Sequence, residues 1–211
     1  TGASLENTLS HLIDTTRAVN AVAENFQTQL QSAENEIAEL RKQLLSTVAD
    51  ANIDPLTKIA NRRVFDRDLI QRFQKEDADT TLVLVDLDHF KQLNDTYGHL
   101  MGDKVLQAVG KVLQTLCPEG SLPVRYGGEE FALLVDGDLQ SGCHLAETIR
   151  QALSKVSISR KNSGDVIENI TASFGVAQRV SEEYPEELIE RADQALYSAK
   201  ENGRNQVSKA A

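Results

Sequence analysis

From Leu5 to Leu44, apolar and small residues recur in alternating steps of four and three: Leu5, Leu9, Leu12, Thr16, Val19, Ala23, Phe26, Leu30, Ala33, Ile37, Leu40 and Leu44. A period of 3.5 held over so many turns keeps one seam in line along a helix. It favours a coiled coil over a helix laid on a globule, where the period drifts toward 3.6. Helix over about residues 4–50 would reach roughly 70 Å at 1.5 Å per residue. Thr16, Ala23 and Ala33 dilute the seam. The expected parallel coiled-coil dimer therefore needs help from the rest of the chain or from an upstream partner. A long amphipathic helix folded back on a globule is the alternative.

The seam ends before Asp54-Pro55. Proline has no amide hydrogen and pushes the residue before it out of helical geometry, so a boundary is expected there. The 211 residues leave room for one ordinary domain plus the extension, which divides the chain into a helix over 1–50 and a globular domain over 51–211. Within the domain, periodicity predicts helix 62–74, strand 80–87, helix 101–116, strands 122–126 and 129–135, helix 139–154, strand 168–177 and helix 185–201. Residues 155–167, rich in Ser, Lys, Asn and Gly, read as loop or short edge strands. Without the first and last helices the order is βαββαβ, which predicts an α+β domain with a ferredoxin-like sheet and a hairpin at Gly127-Gly128.

Composition narrows the function. No apolar stretch approaches the ~20 residues a membrane-spanning helix needs, so no membrane contact is expected. A net charge of −10 opposes broad contact with a phosphate backbone, so nucleic acid is not an expected partner. Cys117 and Cys143 stand in no metal-like spacing and form no disulfide framework, which fits a reducing, cytoplasmic setting. The chain opens at Thr1-Gly2 directly into helical sequence. A further region upstream is expected, where a sensor domain, regulator or membrane tether would lie.

The chemistry gathers at strand ends. Thr81-Leu82-Val83-Leu84-Val85 is almost wholly apolar, as a buried central strand should be, yet it runs into Asp86-Leu87-Asp88. Extended geometry puts Asp86 and Asp88 on one face, where a divalent ion could hold them; Asp88 alone reads better as a cap on the following turn. Glu129-Glu130 follows two glycines, Gly127 and Gly128, which permit positive φ and close approach of a ligand. Neighbouring strands would bring Asp86 and Glu129 to one edge as a hard-oxygen Mg²⁺ site. Magnesium takes only one or two protein carboxylates and fills its remaining positions with water and substrate phosphates.

Six motifs occur in order: Asp54-Pro55-Leu56-Thr57 with Asn61-Arg62-Arg63, DLDHFKQLND at 86–95, YGHLMGD at 97–103, RYGGEEF at 125–131, ASFGVA at 172–177 and ALYSAKENGRN at 195–205. Together they resemble the GGDEF family of diguanylate cyclases, across about residues 54–207. The resemblance implies a palm-like nucleotidyl-cyclase fold and condensation of two GTP into cyclic di-GMP with loss of pyrophosphate. It implies Asp86 and Glu129 as metal-binding carboxylates with the Leu87 carbonyl, two Mg²⁺ per GTP with Mn²⁺ able to substitute, and Glu130 as a catalytic neighbour. Asn94 and Asp103 match guanine-reading positions. Their chemistry suits guanine, whose N1 and N2 hydrogens a carboxylate accepts. Phe90, Lys91, Lys200 and Arg204 match the phosphate-binding set, with Lys200 and Arg204 on one helix face if the last helix persists to Gly203. Arg125 and His99 are supporting candidates.

Two departures stand out. Many family members carry an inhibitory Arg-x-x-Asp whose Asp lies four residues before the arginine of RYGGEEF; here Pro118 and Ser121 occupy those positions. No product inhibition is expected through that site, since neither the guanidinium nor the carboxylate is present. Lys58 replaces a common glycine and is expected to be neutral. The reaction joins two nucleotides, so each domain supplies half a site and the N-terminal helix is expected to act as a dimerising, signalling element. A catalytically inactive GTP-binding or protein-binding signalling module is the alternative, and a template-using polymerase is disfavoured by the acidic surface. Keeping Asp86, Glu129, Asn94, Asp103, Lys91, Lys200 and Arg204 together favours catalysis.

Overall fold

The computed structural model separates into two compact units, Thr1–Asp50 and Ala51–Ala211. It describes residues 9, 11–12, 15–17, 20, 25–27 and 29–40 of the first unit, and 52–75, 79–159 and 166–210 of the second. In the first unit the described residues are helical. Leu9, Leu12, Phe26, Leu30, Ile37 and Leu40, all seam positions, are 49–61% exposed. Leu5, Val19, Ala23 and Leu44 lie outside the described residues, as do 160–165 of the segment expected to be loop. No described helix is long and apolar enough to cross a membrane.

The second unit runs β1 (Ala60–Asn61), α1 (Arg62–Phe73), β2 (Thr80–Leu87), α2 (Phe90–Tyr97), α3 (His99–Leu116), β3 (Leu122–Arg125), β4 (Glu130–Asp136), α4 (Leu139–Leu153), β5 (Ile158–Ser159), β6 (Val166–Ile167), β7 (Ala172–Gln178), α5 (Pro185–Glu201) and β8 (Val207–Lys209). The main sheet has the order β1-β3-β4-β2-β7-β8. Its four central strands pair antiparallel in the ferredoxin-like arrangement expected from βαββαβ. The short edge strands β1 and β8 add to it in parallel, which makes the whole sheet mixed.

Alternation along β2 decides where the site lies. Val83, Val85 and Leu87 enter the core shared with α3 and α4, while Leu82 and Leu84 enter the core shared with α1 and α5. By the same period of two, Asp86 points to the α1/α5 side. At β7, Gly175 allows α5 to settle on the sheet, because a Cβ there would overlap the backbone of Ala192 and Leu196. The close approach brings the last turn of α5, with Lys200, over the end of β2.

Three expected features differ from those observed. Helix begins again at Phe90, eleven residues before the predicted start, because α2 and α3 are separated only by Gly98 with φ +80°. Asn94 and Gly102-Asp103 therefore lie inside helices. The last helix ends at Glu201 as expected and does not persist to Gly203, and Arg204 stands in the left-handed region at φ +62°, so it does not share a helix face with Lys200. Finally, neither Gly127 nor Gly128 has positive φ. A Cβ on Gly127 would meet only the flexible end of the exposed Glu130 side chain, at Oε2.

Candidate active site

Antiparallel pairing of β2 with β4 sets Asp86 opposite Glu130, and the Leu87 amide donates to the Glu129 carbonyl at 3.3 Å. The acidic end of β2 and the Gly-Gly turn thus meet at one sheet edge, as the sequence suggests. Lys200 Nζ lies 2.9 Å from Asp86 Oδ2, with the Asp86 side chain only 13% exposed. Burial pushes the Glu129 carboxyl above its ordinary range, Asp86 and Glu130 push the same way, and Lys200 opposes them. A half-buried carboxylate crowded by two others lacks positive charge. The ammonium of Lys200 supplies part of it.

The donor set fits a hard divalent cation. Among the described residues no three His, Cys, Asp or Glu gather into a closed metal cage. Asp86 and Glu129 lie close enough for the charge of one to act on the other, and such a carboxylate pair is of the kind magnesium completes with phosphates and water. Asp88 is not part of it. It accepts from Ser173 Oγ at 2.7 Å and from the Asn205 amide at 3.0 Å. Asp88 is not the cap expected of it, since the residue at the N-cap of α2 is His89, which makes no side-chain cap bond. Asp88 instead ties the end of β2 to the loop after α5.

Arg125 holds the turn from behind. Its Nη2 donates to the Gly128 carbonyl at 2.8 Å and its Nη1 reaches both oxygens of Asp54 at 3.2 Å. Asp54 also accepts from the Thr57 amide and hydroxyl, at 2.8 and 2.6 Å. The catalytic-looking turn is thereby fixed to the entry of the domain. Nothing in local sequence pattern joins residues so far apart, and only the parallel pairing of β1 with β3 does so.

The remaining predicted residues divide by exposure. Asp103, Lys91, His99, Glu130 and Arg204 are exposed, while Asn94, Lys200 and Arg125 are half-buried and Phe90 is buried. Asn94 Oδ1 is buried without a hydrogen-bond partner, beside Gly102. A cavity of about 410 Å³ opens on a neighbouring flank of α2, lined by Asp88, Gln92, Leu93, Tyr97 and Ile167. Asp86, Glu129 and Lys200 do not line it.

The family profile described as diguanylate cyclase, GGDEF domain, matches residues 51–206. This chain belongs to the GGDEF family of diguanylate cyclases. As a GGDEF chain it is 43% identical over 180 residues to diguanylate cyclase VdcA of Vibrio cholerae serotype O1, covering 85% of this chain and 53% of that protein. Diguanylate cyclase DgcM of Escherichia coli K12 is 41% identical over 162 residues, covering 74% of this chain and 38% of that one. The chain thus spans about half or less of the length of these curated relatives. The crystal structure of the coiled coil and GGDEF domain of DgcB from Caulobacter crescentus, in complex with c-di-GMP, matches with a TM-score of 0.83 and 34% identity. That match covers 88% of this chain and 99% of that chain.

Proposed function

We propose that this GGDEF chain is a diguanylate cyclase that condenses two GTP into cyclic di-GMP, each chain binding one nucleotide. The observation that carries the reading is the meeting of Asp86 and Glu129 at one sheet edge, with Lys200 2.9 Å from Asp86. Asp86, Glu129 and the Leu87 carbonyl would hold Mg²⁺, with Mn²⁺ an effective substitute. Bound there, the cations would stabilise the charge that develops as each 3′-oxygen bonds to an α-phosphorus and pyrophosphate leaves. Lys91, Arg204 and the backbone at Phe90 bind the phosphates, while Lys200 bridges Asp86 and the polyphosphate. Asn94 and Asp103 read guanine. Arg125 keeps the Gly128–Glu129 turn in place.

A half-site needs a second chain. The exposed seam of Leu9, Leu12, Phe26, Leu30, Ile37 and Leu40 supports a coiled-coil dimer that raises the local concentration of one half-site near the other. The turn at Pro118–Ser121 supports freedom from product inhibition there. Arg72 Nη2 donates to the Gly120 carbonyl at 2.8 Å, and the Ser121 amide closes back on the Pro118 carbonyl, so the turn is braced internally and offers no charged pair. Incubation with GTP and Mg²⁺ followed by chromatography is the test. Cyclic di-GMP is expected, at a rate unaffected by added micromolar product and lowered at low protein concentration when residues 1–50 are deleted. GTP binding without turnover would instead support a signalling module.

A further inference from the structure

Gly98 turns the chain so that α3 doubles back on α2, and this lays Gly102 beside Asn94 and Phe90. A Cβ on Gly102 would overlap the Asn94 carboxamide, Oδ1 first and then Cγ, and would stand 3.2 Å from Phe90 Cζ. Gly102 is buried within a helix, where alanine would ordinarily be the more stabilising small residue. Its presence therefore needs a local cause, and the Asn94 side chain is the first group an added methyl would strike. That side chain also carries the buried, unpartnered Oδ1. A carboxamide has an acceptor end and a two-donor end. With the oxygen seated against Gly102, the NH₂ is the end left to meet a ligand.

We propose that Gly102 is a positioning residue for base selection: its missing side chain is the seat that holds the Asn94 carboxamide with its NH₂ turned toward the purine, next to the Asp103 carboxylate. The inference rests on the reading of Asn94 and Asp103 as guanine contacts. A donor beside an acceptor complements the guanine edge, where the O6 acceptor adjoins the N1 and N2 hydrogens. The same pair mismatches adenine, which presents a donor at N6 beside an acceptor at N1. A methyl at Gly102 would displace the amide and cost both affinity and the preference for guanine.

The test measures GTP kinetics of the full chain with Mg²⁺ for Gly102→Ala, Asn94→Ala and the double variant, with ATP as competitor. Gly102→Ala is expected to raise the half-saturating GTP concentration about tenfold or more with kcat kept within about threefold, and to narrow the preference for GTP over ATP. In the Asn94→Ala background it should add less than about twofold, because the group it displaces is already gone. An unchanged half-saturation, or an equal rise in both backgrounds, overturns the proposal. Should Gly102→Ala alone fail to fold, thermal melts decide. A double variant that melts with Asn94→Ala upholds the seat, and one that stays unfolded overturns it. A wild-type chain that makes no cyclic di-GMP sinks the cyclase reading instead, and calorimetric GTP binding by the same four proteins then tests the seat separately.

Discussion

Two carboxylate–cation pairs lie near the same end of the sheet, and they are provisioned in opposite ways. Asp54 faces Arg125 and is saturated with donors. Burial pulls its carboxyl upward, but the Thr57 hydroxyl, the Thr57 amide and Arg125 outweigh that and hold it below the ordinary range. Asp86 faces Lys200, and beside them Glu129 is left short of positive charge, its carboxyl pushed upward by burial and by its acidic neighbours. A pair that only holds structure is completed within the chain. A pair built to meet a cation and a polyphosphate is left incomplete, and the fold carries the cost.

Glu129→Gln breaks the comparison most deeply. It keeps the shape of the turn and removes a crowded charge, so cyclic di-GMP formation should fall by on the order of 10³-fold. Melting temperature should stay level or rise, because the ionised carboxylate is disfavoured in the folded state. A stability loss as large as the activity loss would mean that Glu129 holds the fold and does not serve the site.

Asp54→Asn probes the other pair and should give the reverse pattern. Loss of the charge facing Arg125 should lower stability by about 1–2 kcal/mol, with activity down only about tenfold through the loosened Gly128 turn. The pH dependence carries the sign. A carboxyl held below its unfolded value of 3.8 contributes stability that is fully present above that pH and is lost as pH falls through the folded value. The gap between wild type and Asp54→Asn, read from urea melts, should therefore be widest near neutrality and close below about pH 4. A gap that persists in acid would assign the effect to the lost Thr57 geometry and not to charge.

Sequence reached much of this because strand periodicity is strict. The apolar run 81–85 sets which face each residue takes, and once its neighbours are known Asp86 can point only toward α5. Glu129 and Asp86 were legible as one edge for the same reason. The contacts of Lys200 with Asp86, Arg125 with Asp54 and Asp88 with Ser173 were not, because each joins elements far apart in the chain. Helix α2 was missed since its eight residues, FKQLNDTY, offer only two strongly apolar positions, Phe90 and Leu93, too few to show a period. The end of α5 at Glu201 was legible, but Arg204 was put on the face of Lys200 on the condition that helix ran on to Gly203, and a left-handed turn through Gly203, Arg204 and Asn205, with φ +112°, +62° and +45°, carries it elsewhere.

Lys58→Gly gives the smallest effect and sharpens the account of the structural pair alone. Sequence comparison with the family pattern suggests a neutral replacement, but Lys58 has φ +62°, and its amide donates to the Asp54 carbonyl at 2.9 Å, closing the turn that presents Asp54 to Arg125. A residue with a Cβ pays roughly 1–2 kcal/mol to stand in that region, and glycine does not. Glycine also gains freedom in the unfolded chain, which offsets part of the relief. The net expectation is a stabilisation below about 1 kcal/mol, read as a rise of a few degrees at most in melting temperature. Cyclase activity should be unchanged, since Lys58 takes no part in the proposed site. A fall in stability would show that the lysine side chain contributes more than its backbone costs, and would move Lys58 into the network that braces the Gly128 turn.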